Sequence, residues 1–261
     1  EQLALIAEVV ALNDSVVLVL EGSGPLLLGD TLDDVSALLW AGYPGSAGGD
    51  ALADVLYGDV APSGRLPFSW PLADADLPEF DNESLVVSYG YLHGYRHLQT
   101  EGTAPRFPFG FGLGYTTFAF DAIRTDGATL ASGDTLTIEV DVTNEGSVAG
   151  RVTVQVYVAV EGSAVTRAPN DLRAFAQIDL EAGEGLEAGP ARVRGFAARG
   201  SVFAGQLVRA LGRQVGAGEG HAGVLAHQQL GQRVAQLDGV SALAEAHVTD
   251  GVGGVGFERR R

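Results

Sequence analysis

Few residues in this 261-residue chain stand in patterns that could do chemistry. Glu21 ends the apolar run that starts at Val16 and opens Glu21-Gly22-Ser23-Gly24. Tyr43 ends a second apolar run, 35–42, and opens Tyr43-Pro44-Gly45. Both runs have the length of buried strands, and open α/β sheets bind ligands beyond the carboxyl ends of their strands. Glu21 and Tyr43 are therefore the candidate substrate-binding residues, a carboxylate for a ligand hydroxyl and a ring beside it. The competing reading of Glu21 is a solvated charge at a strand end. Gly22-Ser23-Gly24 is not a dinucleotide fingerprint, because Leu27 stands where a third Gly is required.

Two other clusters invite a metal and fail on spacing. Asp74, Asp76, Glu79, Asp81 and Glu83 form an acidic run, but Pro78 and Glu79 occupy positions where a calcium loop needs a ligand and a Gly. A plain acidic connection is the simpler reading. His93 and His97 would share a helix face, yet Gly94 between them and the β-rich neighbours argue against a helix, and no third ligand stands at a standard spacing. No metal and no cofactor is expected. With no Cys in the chain, thiolate sites and disulfides are excluded.

The elements that must position these residues follow from periodicity. Leu3, Ile6, Val9 and Val10 share one face of a helix over 1–12, Asn13-Asp14-Ser15 breaks it, and the run from Val16 to Leu20 reads as a strand buried on both sides. After the second strand and the Gly/Pro turn, Ser46 is placed to cap a helix over 47–57. Its apolar residues are Ala51, Leu52, Val55 and Leu56, and Gly58 stands at the C-terminal stop. This alternation predicts an α/β layer with a mostly parallel sheet. From Phe118 the period becomes two: 136–142 alternates, 152–160 puts Val154, Val156 and Val158 on one face, and 172–180 is a further strand. An incomplete antiparallel sandwich is the expectation there. Residues 107–118, with three Gly and five aromatic rings, read as a tight segment packed through its backbone.

The fold class is thus α/β followed by all-β. It divides into 1–72, a partial α/β domain; 73–117, a connecting segment packed on it; 118–184, a partial β-sandwich; and 185–261, a tail. The tail differs in composition. Residues 1–185 hold 7 Arg against 27 Asp and Glu, whereas 186–261 hold 9 Arg against 6, with only Phe196, Phe203 and Phe257 as aromatics. A frameshift near codon 185 accounts for the change; a disordered tail or a helix over 202–215 are the alternatives. The net charge of -17 and the absence of Lys exclude a nucleic-acid-binding face. No apolar run is long enough for a membrane-spanning helix.

Three stretches carry a resemblance. Ala41 to Gly45, Gly48-Gly49, Ala51 to Leu56, Gly58 and Pro62 to Pro67 are similar, position by position, to a segment of glycoside hydrolase family 3, the β-glucosidase and β-xylosidase family. Gly94-Tyr95-Arg96 resembles that family's V-G-Y-R, and Phe107 to Phe118 resembles its F-P-F-G-x-G-L-S-Y-T-x-F. The resemblance runs from Glu1 to about Glu184. It implies part of the family's α/β sandwich domain, then a fibronectin type III-like domain, with Arg96 as a structural ion-pair partner. It also implies that the nucleophile Asp stands in an N-terminal (β/α)₈ barrel and the acid/base Glu on a loop upstream of this chain, so no catalytic residue is placed here. The expected parent is a retaining β-glucosidase, acting on a β-glucoside or oligosaccharide without a cofactor and exported to the periplasm or secreted. The chain alone, without that barrel, is expected to be inactive. No leader is seen, and Glu1-Gln2 reads as mid-helix. The alternative from another class is a non-catalytic carbohydrate-binding or adhesion module.

Overall fold

The computed structural model describes residues 1–81, 83–125, 135–160, 163–185, 193–197 and 206–211. It opens with helix α1 (Gln2–Leu12), strand β1 (Val17–Glu21), a 3₁₀ turn (Gly29–Asp34), strand β2 (Ala37–Gly42) and helix α2 (Gly48–Tyr57). β1 and β2 pair in parallel, Val17 opposite Ala37 through Leu20 opposite Trp40, with an irregularity before Glu21 meets Gly42. The α/β alternation is as the periodicity requires. Burial is not: β1 has only Leu20 fully buried, and Val17 is exposed. A strand reads as buried on both faces only if layers cover both, and this sheet has two strands among the described residues. α1 likewise buries none of its residues fully, although Ile6 and Val10 lean on the core.

α2 starts at Gly48 with Ala47 as N-cap and no side-chain cap, so Ser46 does not cap it. Its end is as expected: Gly58 takes φ 88°, a left-handed C-cap that a side chain would strain.

The core of this layer gathers Leu20, Leu28, Leu32 and Val35 around Trp70, which is 1% exposed. The indole Nε1–H donates to the Leu26 carbonyl at 2.8 Å. The chain around Trp70 pairs with the later Gly- and Phe-rich segment. The Trp70 amide donates to Phe107 O, the Leu66 amide to Phe111 O and the Gly110 amide to Leu66 O, each at 2.8 Å. The rings of Trp40, Phe68, Trp70, Phe107 and Phe111 follow one another at centroid separations of 4.9 to 6.0 Å, several edge-on. Two stretches 40 residues apart in sequence thus make one unit.

Glycine is what lets them approach. A Cβ on Gly112 would lie 2.5 Å from the Gly64 carbonyl oxygen and 2.8 Å from Arg65 Nη1. Because the first obstacle is backbone, no rotamer relieves it. We expect Gly112→Ala to destabilise by about 2 kcal/mol, the scale of an overpacked core position, read as a lowered urea midpoint at unchanged slope. A midpoint within error of wild type would refute it.

Helix α3 (Tyr95–Glu101) takes in His97 but not His93, so the two imidazoles share no helix face, although the segment from Tyr95 is helical where no helix was expected. Gly94, read as a helix breaker, is the residue just before the helix, with φ 58°, so its flexibility serves the entry.

The second part is a sandwich. β3 (Phe118–Thr125), β4 (Thr135–Asn144) and β7 (Val193–Ala197) form one sheet; β6 (Asp171–Leu180), β5 (Gly150–Val160) and β8 (Gln206–Leu211) form the other, all antiparallel. The alternating valines meet between them: Val140, Val142, Val152 and Val154 are fully buried, with Ala176 and Leu180. Asn144, completely buried, pins one end. Its amide nitrogen donates to Val148 O at 2.9 Å and Leu180 O at 3.2 Å, and its side-chain oxygen accepts from Thr116 and from the Gly146 amide.

β7 and β8 lie in the stretch read as tail, and β8 falls inside the span offered as a helix. Their own pattern is weak. What makes them strands is the open edges of β4 and β5, whose unpaired amides and carbonyls recruit extended chain. The rest of the tail, 186–192 and 212–261 included, is outside the described residues.

Candidate functional site

The parallel pairing brings Glu21 and Tyr43 to the same end of the sheet. Glu21 is opposite Gly42, the residue before Tyr43, and the Gly22 amide donates to Gly42 O at 2.9 Å. Both candidates are exposed, Tyr43 by 79%. The Glu21 carboxylate has no hydrogen-bond or ion-pair partner among the described residues. A free carboxylate beside a free phenol can bind hydroxyls. Nothing among the described residues encloses them, so by themselves they make a ledge and not a pocket.

Two carboxylates of the acidic run close local turns. Asp76 Oδ2 accepts the amides of Leu72 and Ala73 at 3.0 and 2.8 Å, capping the 3₁₀ turn Asp74–Asp76, and Asp81 Oδ1 accepts the Glu83 amide. His93 Nδ1 donates to Gly90 O at 2.7 Å, closing a local turn just ahead of α3. Among the described residues no three His, Asp or Glu side chains converge on a possible metal position.

The most elaborate polar cluster lies elsewhere, where the connecting segment meets the sandwich. Asp171, at the start of β6 and only 4% exposed, is its centre. Its Oδ1 accepts from Arg96 Nε at 2.5 Å, and its Oδ2 from Tyr91 OH at 2.7 Å and Arg173 Nη2 at 3.3 Å. Burial alone would raise the Asp171 carboxyl, but the hydrogen bonds from Tyr91 and Arg96 outweigh it and hold the group below the ordinary aspartate range. The Arg96 guanidinium also stacks over the rings of Tyr91 and Tyr95, at 5.3 and 5.1 Å.

Tyr95 continues the junction. Its hydroxyl accepts the Leu172 amide at 2.9 Å, and its ring meets Phe109 and Tyr157 at 5.2 and 6.0 Å. Tyr157, whose phenol is pushed up by burial and so stays protonated, donates to Gln155 Oε1 at 2.7 Å; Gln155 Nε2 donates to Gly110 O at 3.3 Å. This accords with the role of Arg96 as an ion-pair partner. Asp171 itself was not singled out by the sequence. Its one signal was an acid opening a strand pattern, which many solvated strand ends share. Both oxygens of Asp171 accept from protein donors and the group is buried, so the cluster is a joint and not a reaction centre.

Comparison with known proteins adds the context. Residues 1–115 match the glycosyl hydrolase family 3 C-terminal domain, and residues 152–188 match the fibronectin type III-like domain. A β-glucosidase of Rhizobium radiobacter is 43% identical over 188 residues, covering 69% of this chain and 23% of that protein. A probable β-glucosidase L of Neosartorya fischeri is 35% identical over 199 residues, covering 69% of this chain and 27% of that one. Among solved structures, a β-glucosidase of Kluyveromyces marxianus superposes with a TM-score of 0.71 at 32% identity, covering 80% of this chain and 26% of that one. DesR, a β-glucosidase from Streptomyces venezuelae in complex with D-glucose, gives 0.69 at 29%, covering 80% and 28%. The chain thus spans about a quarter of the length of the curated relatives it matches.

Proposed function

The chain belongs to glycosyl hydrolase family 3, carrying its C-terminal domain and a fibronectin type III-like domain, and from that premise we propose that it is the C-terminal part of a retaining β-glucosidase. The intact enzyme hydrolyses terminal β-linked glucose in two steps, one carboxylate attacking the anomeric carbon and a second protonating the leaving oxygen. Both carboxylates belong to sequence outside this chain. Residues 1–261 supply one wall of the substrate crevice, with Glu21 and Tyr43 facing it, and a surface against which the catalytic barrel packs.

The observation that supports this reading best is how the resemblance and the packing coincide. The matching stretches around Trp70 and Phe107 are the two that pair through backbone hydrogen bonds, and Gly94-Tyr95-Arg96 is where the sandwich is tied on. What the chain shares with its β-glucosidase relatives is therefore an assembled unit.

The experiment is an assay in two arms. The purified chain, given an aryl β-glucoside, is expected to release no aryl alcohol above buffer. Joined in frame behind the preceding part of the Rhizobium radiobacter β-glucosidase, it is expected to turn over at an enzyme-like rate, about 10 per second, with the β-anomer of glucose formed first. Turnover at that rate by the chain alone, or an inverted product, would overturn the proposal. Calorimetry separates the non-catalytic module. An isolated half-crevice should hold glucose or cellobiose more weakly than about 1 mM, whereas micromolar binding by the chain alone would favour the module.

A further inference from the structure

The arginines of this chain are treated unequally. Arg96, Arg124, Arg151 and Arg173 each hold an Asp carboxylate at 3.3 Å or less. Arg65 does not. Its Nη1 donates to the carbonyl of its own neighbour, Gly64, at 2.6 Å, and its Nε is buried without an acceptor. No carboxylate among the described residues reaches it, although acids outnumber arginines almost four to one over residues 1–185. Burial pulls its guanidinium down to about 10. A half-desolvated cation with no counter-charge is an expensive thing to leave in a fold.

Its position is held firmly. The side chain lies against Gly112, and the flanking backbone is fixed by the Leu66–Phe111 and Gly110–Leu66 hydrogen bonds. Gly114 packs close to Pro62 in the same pairing. The two paired stretches also carry exposed apolar side chains: Val60 is 51% exposed, Tyr115 40% and Leu113, next to the Gly112 that Arg65 lies against, 36%. A cation on stretches that expose apolar side chains suits a protein surface that brings one carboxylate with it, better than a free anion that would leave those side chains wet.

We propose that Arg65 is a docking cation that receives an Asp or Glu carboxylate from the polypeptide completing the α/β layer, through the free face of its guanidinium. The proposal rests on the reading of this chain as part of a longer family 3 enzyme.

Arginine-specific labelling with phenylglyoxal, mapped by mass spectrometry, tests it. In the 261-residue chain the free face of Arg65 should be open to the reagent, and in the glucosidase-active fusion described above its labelling should be slowed about tenfold while the exposed, ion-paired Arg124 and Arg151 are unchanged. An Arg65 that resists labelling in the chain alone would overturn the proposal. So would an unslowed Arg65 in an active fusion, which would leave the hydrolase reading standing. An inactive fusion with Arg65 protected would count against that reading and for the docking cation. Equal protection of the isolated chain by millimolar acetate would assign the position to a free carboxylate and overturn the polypeptide source.

Discussion

Replacing Asp171 by alanine is expected to lower the free energy of unfolding by about 2–3 kcal/mol, because it strands the cations and hydroxyl that the carboxylate holds. Arg96 and Arg173 keep 26% and 19% exposure and can turn toward water, which places the loss at the lower end for a broken buried pair. Asp171→Asn should lose nearly as much, since an amide keeps the shape but not the charge. The loss should also change cooperativity. Both tryptophans, Trp40 and Trp70, lie in the α/β core, so their fluorescence reports that part alone, while pulsed amide hydrogen exchange of β5 and β6 reports the sandwich. In the wild type the two urea transitions should coincide; in Asp171→Ala they should separate. Coincident transitions at an unchanged midpoint would show that the joint couples nothing.

The pH dependence of that difference has a definite sign. The Asp171 carboxyl is lowered in the folded chain, so its contribution is complete above the ordinary aspartate value of 3.8 and disappears as pH falls through the lower native value. Wild type and Asp171→Ala should therefore differ by a constant amount from pH 7 to pH 5 and converge in acid. A gap that widened on acidification would contradict the assigned hydrogen bonds.

Trp70→Ala should cost more, about 4 kcal/mol, the scale for emptying a buried aromatic site. Trp70 is 1% exposed and touches the rings of Phe68 and Phe107, and its indole satisfies the Leu26 carbonyl. The site cannot collapse easily, because both flanking strands are tied by backbone hydrogen bonds. Trp70→Phe keeps most of the volume and leaves only the Leu26 carbonyl unpaired, so it should lose about 1–2 kcal/mol. Chemical denaturation followed by far-UV dichroism gives both numbers. Equal losses for the two variants would mean that the hydrogen bond, and not the packing, holds this core.

Much of the fold was legible before any coordinates. The helix over 1–12, the strands ending at Glu21 and Gly42, the Gly58 stop and the strands at 136–142, 152–160 and 172–180 all follow from periods of 3.6 and 2 and from turn residues. These are local properties, set by which face of an element is apolar. Two misreadings are local: Ser46 had the chemistry of a cap but not the position, and a helix starts just after Gly94 where none was expected. Both err by a residue or two at a boundary, where geometry and not composition decides. The other two, the burial of β1 and the strands β7 and β8 in the tail, depend on what lies against them from elsewhere in the chain.

The candidate residues divide in the same way. Glu21 and Tyr43 could be named from the sequence because they sit at strand ends, and strand ends are local. That they come to the same end of one sheet follows from parallel pairing in register. Asp171 could not be named, for its partners Tyr91 and Arg96 lie 80 and 75 residues away. Arg65 is the converse case: a sequence shows an arginine, but only the folded chain shows that no carboxylate among the described residues comes to meet it.

By itself, then, the sequence determined the order and type of the main elements, the acidic character, and the family resemblance, since each is written in composition or spacing along the chain. The tertiary structure decided which distant side chains share a site, which charges are paired, and that β7 and β8 complete the two sheets. The reason is physical. Burial, ion pairing and edge recruitment are energies between residues far apart in the chain, and they take their values only once the fold has set the distances.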